Sequence, residues 1–386
     1  MNRARLVAAC LALTASTASA EEVIKIGLIA PFTGPFADYG RQIELGMKAY
    51  VKIHGDRVAG KKIEIVRKDT TGPLPEVAKR LAQELVVRDG VDFLAGFGLT
   101  PEALAVADVA TQAKKPMIVM NAASSVVTTK SPYIARFSMT LPQITAPIAT
   151  WAAQNGIRSV VTLVADYAPG IDSENAFKKA FAAAGGTVTE SIRSPLRNPE
   201  FAPFIQRIKD LHPQAVFVFV PAGEQGVAFM KGARERGLAE AGIQVIATGD
   251  ITDDHVLDAM GDAALGMITS FHYSAAHPSK ENEAFLAACA KVGPGEGRPN
   301  FMTAAGFDGM AAIFEVVKKL QGKIDGDKAM EVLKGLRFTS PRGPISIDPE
   351  TRDIVQTIYL RKVEKKDGHY YNVEFDSVKD VKDPGK

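Results

Sequence analysis

The chain is poor in the residues that usually announce chemistry. Its 386 residues include two cysteines, one tryptophan and six histidines. Cys10 lies in a stretch that reads as a leader peptide over residues 1–20. There "MNRAR" is basic, "LVAACLALTAST" is apolar and Ala18-Ser19-Ala20 forms a small-residue cleavage site. The apolar run before Cys10 is too short for a lipoprotein signal. A mature chain starting near Glu21 keeps Cys289 as its one thiol, so stability must come from burial rather than from an internal disulfide. No later run reaches the roughly 20 apolar residues of a membrane span. An excess of one charge is missing too. Without Arg3 and Arg5 the basic residues fall from 46 to 44, equal to the 44 acidic ones. That balance excludes the basic stripe a nucleic-acid partner needs.

Catalytic motifs are absent as well. There is no G-x-S-x-G, no P-loop and no H-E-x-x-H. The first strand–helix junction, "APFTGPFADYG", is not G-x-G-x-x-G, which argues against a dinucleotide site. His272 and His277 are too far out of phase to share a helix face. The acidic "GDITDDH" (249–255) reads as a helix cap, with Asp253 and Asp254 facing the dipole, rather than as a metal site. No metal, no cofactor and no enzymatic activity are expected.

What the chain does have is rhythm. "VIKIGLIA", "KIEIVRKD", "VDFLAG" and "PMIVM" read as short buried strands, with amphipathic helices between them. After "YIARFSMTLPQ" the pattern restarts with "SVVTLVA", "TVTESIR", "AVFVFV" and "IQVIAT". Helical stretches follow over 280–292, 301–320 and 327–336, then alternating strands around a turn at 348–351. This is the βαβ alternation of doubly wound parallel sheets. About 366 mature residues suit two such units. Each strand runs into a polar or glycine-rich junction: "PFTGPFADYG", "GFGLTP", "NAASS", "DYAPG", "PAGEQG" and "TGD". In a parallel sheet these carboxyl-end loops share one side, where ligands bind. In "GFGLTPEAL" (96–104), Thr100 is expected at a helix N-cap with Pro101 in the first turn. Such a helix end attracts anions.

"IKIGLIAPFTGPFADYGRQIELGMKAYV", "FLAGFGLTPEALAVADVATQAKKPMIVMNAAS", "GDAALGMITSFHY" and "AAGFDGMAAIFEVV" resemble, in order, the periplasmic leucine/isoleucine/valine-binding family, the solute receptors of bacterial ABC importers. The resemblance implies a type I periplasmic binding protein fold: α/β, with two doubly wound parallel-sheet lobes joined by three crossing strands and closing on ligand like a hinged trap. The crossings are expected near 137–139, 271–274 and 342–344. The lobes would be 21–138 plus 274–342, and 139–273 plus 343–386. The resemblance further implies a periplasmic monomer that hands a small-molecule carboxylate to an inner-membrane ABC permease. Thr100, Ala122, Ala123 and Ser124 match the family's carboxylate-binding positions. The family's ammonium-binding glutamate matches Gly249, with Asp250 next to it. Phe36, Tyr39, Phe97, Tyr167, Phe271 and His272 are candidates to sandwich an aromatic ring, with Ala222 in "PAGEQG" beside them. His272, Tyr167 and Asp250 are candidates to bond a ring hydroxyl. "DYAPGIDSENAF" and "SFHYSAAHPSKEN" resemble the branch of the family that takes up aromatic carboxylates. An α-amino acid whose ammonium meets Asp250 remains the alternative ligand, and a sensor that touches a membrane receptor the alternative role. Trp151 is expected in the core, and Arg136 in an ion pair bracing the lobes.

Overall fold

The computed structural model describes residues 22–386. The expected leader, 1–20, lies outside the described residues. Two sheets organise the chain. The first holds β1 (Val23–Ala30), β2 (Arg57–Val58), β3 (Lys61–Asp69), β4 (Phe93–Gly96), β5 (Met117–Val119) and β6 (Ile134–Arg136), in the order β2-β3-β1-β4-β5-β6. All its pairs are parallel except β2–β3. The second holds β7 (Ser159–Ala165), β8 (Thr187–Ser194), β9 (Ala215–Phe219), β10 (Gln244–Thr248), β11 (Ile268–Phe271), β12 (Arg337–Ser340), β13 (Gly343–Ile347), β14 (Ile354–Lys366) and β15 (His369–Val381). Its β8-β7-β9-β10-β11 half is parallel, and β12 to β15 extend it with antiparallel pairs. Strands such as β9, "AVFVF", are buried on both faces, which is why they read as continuous apolar runs.

The helices are α1 (Ala37–His54), α2 (Pro75–Glu84), α3 (Thr100–Ala113), α4 (Leu141–Gln154), α5 (Ala168–Ala183), α6 (Ala202–Asp210), α7 (Glu224–Glu235), α8 (Leu257–Met260), α9 (Lys280–Val292), α10 (Phe301–Lys319) and α11 (Gly326–Leu333). The chain leaves the first sheet after β6 and returns to pack α9 and α10 on α1. It then enters the second sheet again at β12. Among the described residues no helix is long and apolar enough to cross a membrane.

Two buried ion pairs sit where the chain passes between the sheets. Arg136 on β6 meets Asp353, just before β14, at 2.7 Å. Arg342, in the β12–β13 turn, meets Asp308 of α10 at 2.7 Å and also donates to the carbonyls of Phe137 and Ser138. Arg136 thus braces the passage, as the sequence suggests. Removing one partner of such a pair costs about 3–5 kcal/mol, because the other charge is left buried alone. Trp151 is half-buried, edge-on to Phe375 at 6.3 Å.

Candidate functional site

Both sheets reverse strand order beside their first strand, β1/β4 in one and β7/β9 in the other. Loops leaving neighbouring strands on opposite sides open a crevice at such a point. The two crevices face each other and share a small chamber. Its walls come from the segments that follow β1, β4, β5 and β6 on one side and β7, β9 and β10 on the other.

The first lobe's wall is mostly backbone. Gly96 has φ +104°, and a Cβ there would stand 2.5 Å from the Ile29 carbonyl oxygen. Phe97 then takes φ +66°, rare for a large side chain, and such strain costs on the order of 1–3 kcal/mol. It is held by two bonds: the Phe97 N–H donates to Ile29 O (2.6 Å), and Phe97 O accepts from the Ala122 N–H (2.9 Å). The kink turns Gly98, Leu99 and Thr100 into the chamber.

Thr100 is the first residue of α3 rather than its cap, which corrects the expectation. Leu99 holds the cap position and has no side chain that can serve it. Glu102 serves instead, its carboxyl accepting the Leu99 N–H at 2.9 Å and bonding the Thr70 hydroxyl. Burial pushes the Glu102 pKa up to about 8, so at neutral pH it adds little negative charge here. Thr100 Oγ1 is freed from capping. It accepts the Ser124 N–H at 3.3 Å, which leaves its own proton for another acceptor. The Ala123 N–H has no protein acceptor among the described residues. The Thr100 N–H, in the first helical turn, has none within the helix. This wall offers donors and no formal charge, a fitting seat for a carboxylate.

The opposite wall is made of side chains. Tyr167 stacks on Phe219 with centroids 6.2 Å apart and planes at 15°. Tyr39 of α1 reaches across the cleft, its hydroxyl donating to Ala222 O at 3.3 Å. Leu99, Met139, Leu141 and Pro221 line the same chamber. Asp250 closes this side, 5% exposed and accepting the Thr248 hydroxyl at 2.8 Å. Burial is the main reason its pKa rises to about 7, and Asp253 adds to it. Near neutral pH its carboxyl can therefore either donate or accept a proton. Burial, then Asp250, push the Tyr167 hydroxyl well above its ordinary value, so it stays a donor. Gly249 cannot be another residue. A Cβ would stand 2.0 Å from Arg361 Nη2 and 2.4 Å from Phe271 Cγ.

Of the candidate residues, Tyr39, Thr100, Ala122, Ala123, Tyr167 and Asp250 meet in the chamber. Ser124 lies beside it, with its hydroxyl committed to Asp172 of α5 at 2.6 Å; the same carboxylate takes the Ser125 N–H at 3.1 Å. Phe36 and Ala222 line a wider outer cleft of about 380 Å³. Phe97, Phe271 and His272 are buried behind the chamber walls. Phe271 packs edge-on against Phe301 (4.8 Å), and neither His272 ring nitrogen has a partner among the described residues. Burial pushes His272 well below its ordinary pKa, so it is neutral. Asp253 and Asp254 are not dipole caps. Asp253 accepts from Asn300 (3.0 Å), and Asp254 from Asn372 (3.0 Å) and the Ala275 N–H (3.2 Å). Among the described residues no group of three or more His, Cys, Asp or Glu is placed to hold a metal ion.

Sequence reasoning passed over Asn121 and Phe219, which also line the chamber. Asn121 Nδ2 ties its loop to Gly98 O at 2.6 Å. Both sit at the carboxyl ends of strands, and that position was the available signal.

A family model described as periplasmic binding protein matches residues 23–369. The chain belongs to the periplasmic binding protein family. A Leu/Ile/Val-binding protein homolog 6 from Brucella melitensis is 45% identical to this periplasmic binding protein over 386 residues, 100% of this chain and 99% of that one. A solute-binding protein of an ABC transporter from Rhodopseudomonas palustris BisB5, solved in complex with 3,4-dihydroxybenzoic acid, is 56% identical. Its TM-score is 0.91, with 95% of this chain and 99% of that chain covered. Another from Rhodopseudomonas palustris HaA2, in complex with p-hydroxybenzoic acid, is 44% identical. Its TM-score is 0.92, with 94% and 99% covered.

Proposed function

We propose that this periplasmic binding protein captures an aromatic carboxylate, a hydroxybenzoate or a close relative, for an ABC importer. The observation that carries the reading is the polarity of the chamber. The lining combines donors without formal charge from the first sheet's loops, the rings of Tyr39, Tyr167 and Phe219, and a protonatable acid, Asp250, from the second sheet's. A hydroxybenzoate carries the matching set of carboxylate, ring and hydroxyl. The similar proteins solved with dihydroxybenzoic and p-hydroxybenzoic acid support the same ligand class.

The carboxylate docks on the Thr100 hydroxyl and the Thr100 and Ala123 N–H groups. Each charge-assisted bond contributes about 1.5–3 kcal/mol once water is excluded. The ring slides between Tyr39, Tyr167 and Phe219. Its hydroxyl meets Asp250, which donates or accepts according to its own proton. Closure of the second lobe makes the Tyr39–Ala222 and Ser124–Asp172 bonds, so ligand and closed form stabilise each other. The protein acts in the periplasm after removal of its leader, and its closed form is the surface an inner-membrane permease reads. It binds without turning over its ligand.

The test is a thermal-shift screen of refolded mature protein against benzoates, cinnamates, phenylacetates, aliphatic acids and the proteinogenic amino acids. Ligand at about 100 times its dissociation constant adds roughly 2.7 kcal/mol of stability. Shifts confined to aromatic acids are expected. Shifts with leucine and its relatives alone would overturn the reading in favour of an amino-acid receptor.

A further inference from the structure

The acidic stretch "GDITDDH" (249–255) is only partly used by the chamber. Asp250 lines it, and Asp254 turns to Asn372 of β15 in the second sheet. Asp253 and His255 instead cross to the first lobe. Asp253 accepts from Asn300, the residue that caps α10, at 3.0 Å, and takes the His255 N–H at 3.3 Å. The His255 imidazole reaches α1. Its Nδ1 stands 3.1 Å from Gln42 Nε2, and its Nε2 stands 3.9 Å from Asp38 Oδ2.

The protons in this contact follow from the partners. Gln42 is 1% exposed. Its Oε1 accepts the Thr303 hydroxyl, and its Nε2 donates to the Glu296 carbonyl at 3.3 Å, an atom that can only accept. The amide nitrogen therefore faces the ring, Nδ1 accepts, and the ring proton sits on Nε2 towards Asp38. Gly297 closes a third side. It has φ +78°, and a Cβ there would stand 2.9 Å from both Cε1 and Nδ1, so the turn between α9 and α10 lies against the imidazole. His255 is thus a second-lobe side chain wedged into a first-lobe notch. The notch is built on the turn of α1 that carries Tyr39, since Asp38 and Gln42 bracket that residue one helical turn apart. Tyr39 and Asp250 line the chamber from opposite lobes. The wedge ties the helix of one to the loop of the other.

We propose that His255 is a positioning residue: seated between α1 and the α9–α10 turn, it fixes the Asp250 loop against the Tyr39 helix and so sets how long the closed chamber retains its ligand. His255 lines no part of the chamber; it acts through the two walls it joins. The inference rests on the proposed reading of the chamber as an aromatic-carboxylate site.

The experiment is stopped-flow release of 4-hydroxybenzoate from the mature protein, with association measured alongside. His255→Leu keeps bulk without ring nitrogens; His255→Asn can present an amide oxygen where Nδ1 stands. His255→Leu is expected to release ligand about tenfold faster with its association rate little changed, because the lost bond leaves a buried Gln42 donor short of its partner. His255→Asn should recover most of the slow release. A folded His255→Leu that releases at the wild-type rate would overturn the proposal. So would a His255→Asn as fast as His255→Leu, since the imidazole would then only fill space. Hydrogen exchange of wild type decides the matter even if neither variant folds. Residues 293–298 line no part of the chamber, and 4-hydroxybenzoate should slow their exchange severalfold through the wedge. Unchanged exchange there would overturn the proposal. If no aromatic acid binds wild type, the reading of the chamber fails and takes this inference with it, a result distinct from binding with release unchanged.

Discussion

The two walls of the chamber solve different problems with different materials. The first lobe's wall, on the proposed reading the one that recognises a charge, presents backbone N–H groups and one hydroxyl and carries no formal charge of its own. Behind it sits a buried acid, Glu102, held neutral by desolvation. The second lobe's wall, on the same reading the one that meets the rest of the ligand, presents side chains. Asp250, Tyr167 and Phe219 line it, and a buried cation, Arg361, stands behind. A wall of backbone dipoles is hard to retune by mutation, because every residue except proline has an N–H. A wall of side chains can be rewritten one residue at a time. The difference teaches where a receptor of this fold keeps what is constant and where it keeps what is specific.

The largest effect should come from the acid behind the first wall. The folded chain holds Glu102 protonated up to about pH 8, while the unfolded chain releases the proton above its ordinary value of 4.5. Stability therefore falls as pH rises through that window, by up to about 1.4 kcal/mol per unit. Glu102→Gln should remove the slope between about pH 7 and 8 and leave the contributions of other buried carboxyls, such as Asp250, which ends near pH 7, and Asp253, which ends near pH 6. Denaturation midpoints measured from pH 4 to 9 check it; parallel curves for wild type and variant would show that Glu102 carries no proton in the fold.

Next is the second wall. Asp250→Leu leaves a ligand hydroxyl unpaired, at a cost of about 1–3 kcal/mol. The preference for 4-hydroxybenzoate over benzoate should fall about tenfold or more, with benzoate affinity little changed. Equal losses for both ligands would mean Asp250 supports the wall and does not read the hydroxyl. Smaller still is a contrast within the first wall. Thr100→Val should weaken every aromatic carboxylate alike, about tenfold. Ser124→Ala should cost only about 1 kcal/mol, because it loses the Asp172 bond that fastens the closed form. Had Ser124 been a direct carboxylate donor, the two variants would behave identically.

The legible parts of this molecule were those governed by periodicity and position. The strand–helix alternation announced parallel sheets. The carboxyl-end junctions announced where a site would form, and Tyr39, Thr100, Ala122, Ala123, Tyr167 and Asp250 all lie at such junctions. Less legible was which polar atom bonds which. Thr100 reads as a cap because threonine before proline usually is one, yet Glu102 three residues after Leu99 takes the cap. Phe36, Phe271 and His272 are aromatic and near strand ends, and nothing in their spacing tells a wall from the packing behind it. β15 went unread because its charged, alternating residues resemble an exposed tail; it is a strand through its pairing with β14.

By itself the sequence determined the architecture, the side of each sheet that carries a site and the absence of any stored catalytic motif. These follow from local patterns that the backbone must obey. Only the tertiary structure decided the chemistry of the chamber. It brought Arg361, more than a hundred residues further along the chain, against Gly249, and so explains why that position is bare and why Asp250 stands beside a cation. Burial and through-space charge depend on what surrounds a residue, and no local pattern encodes that.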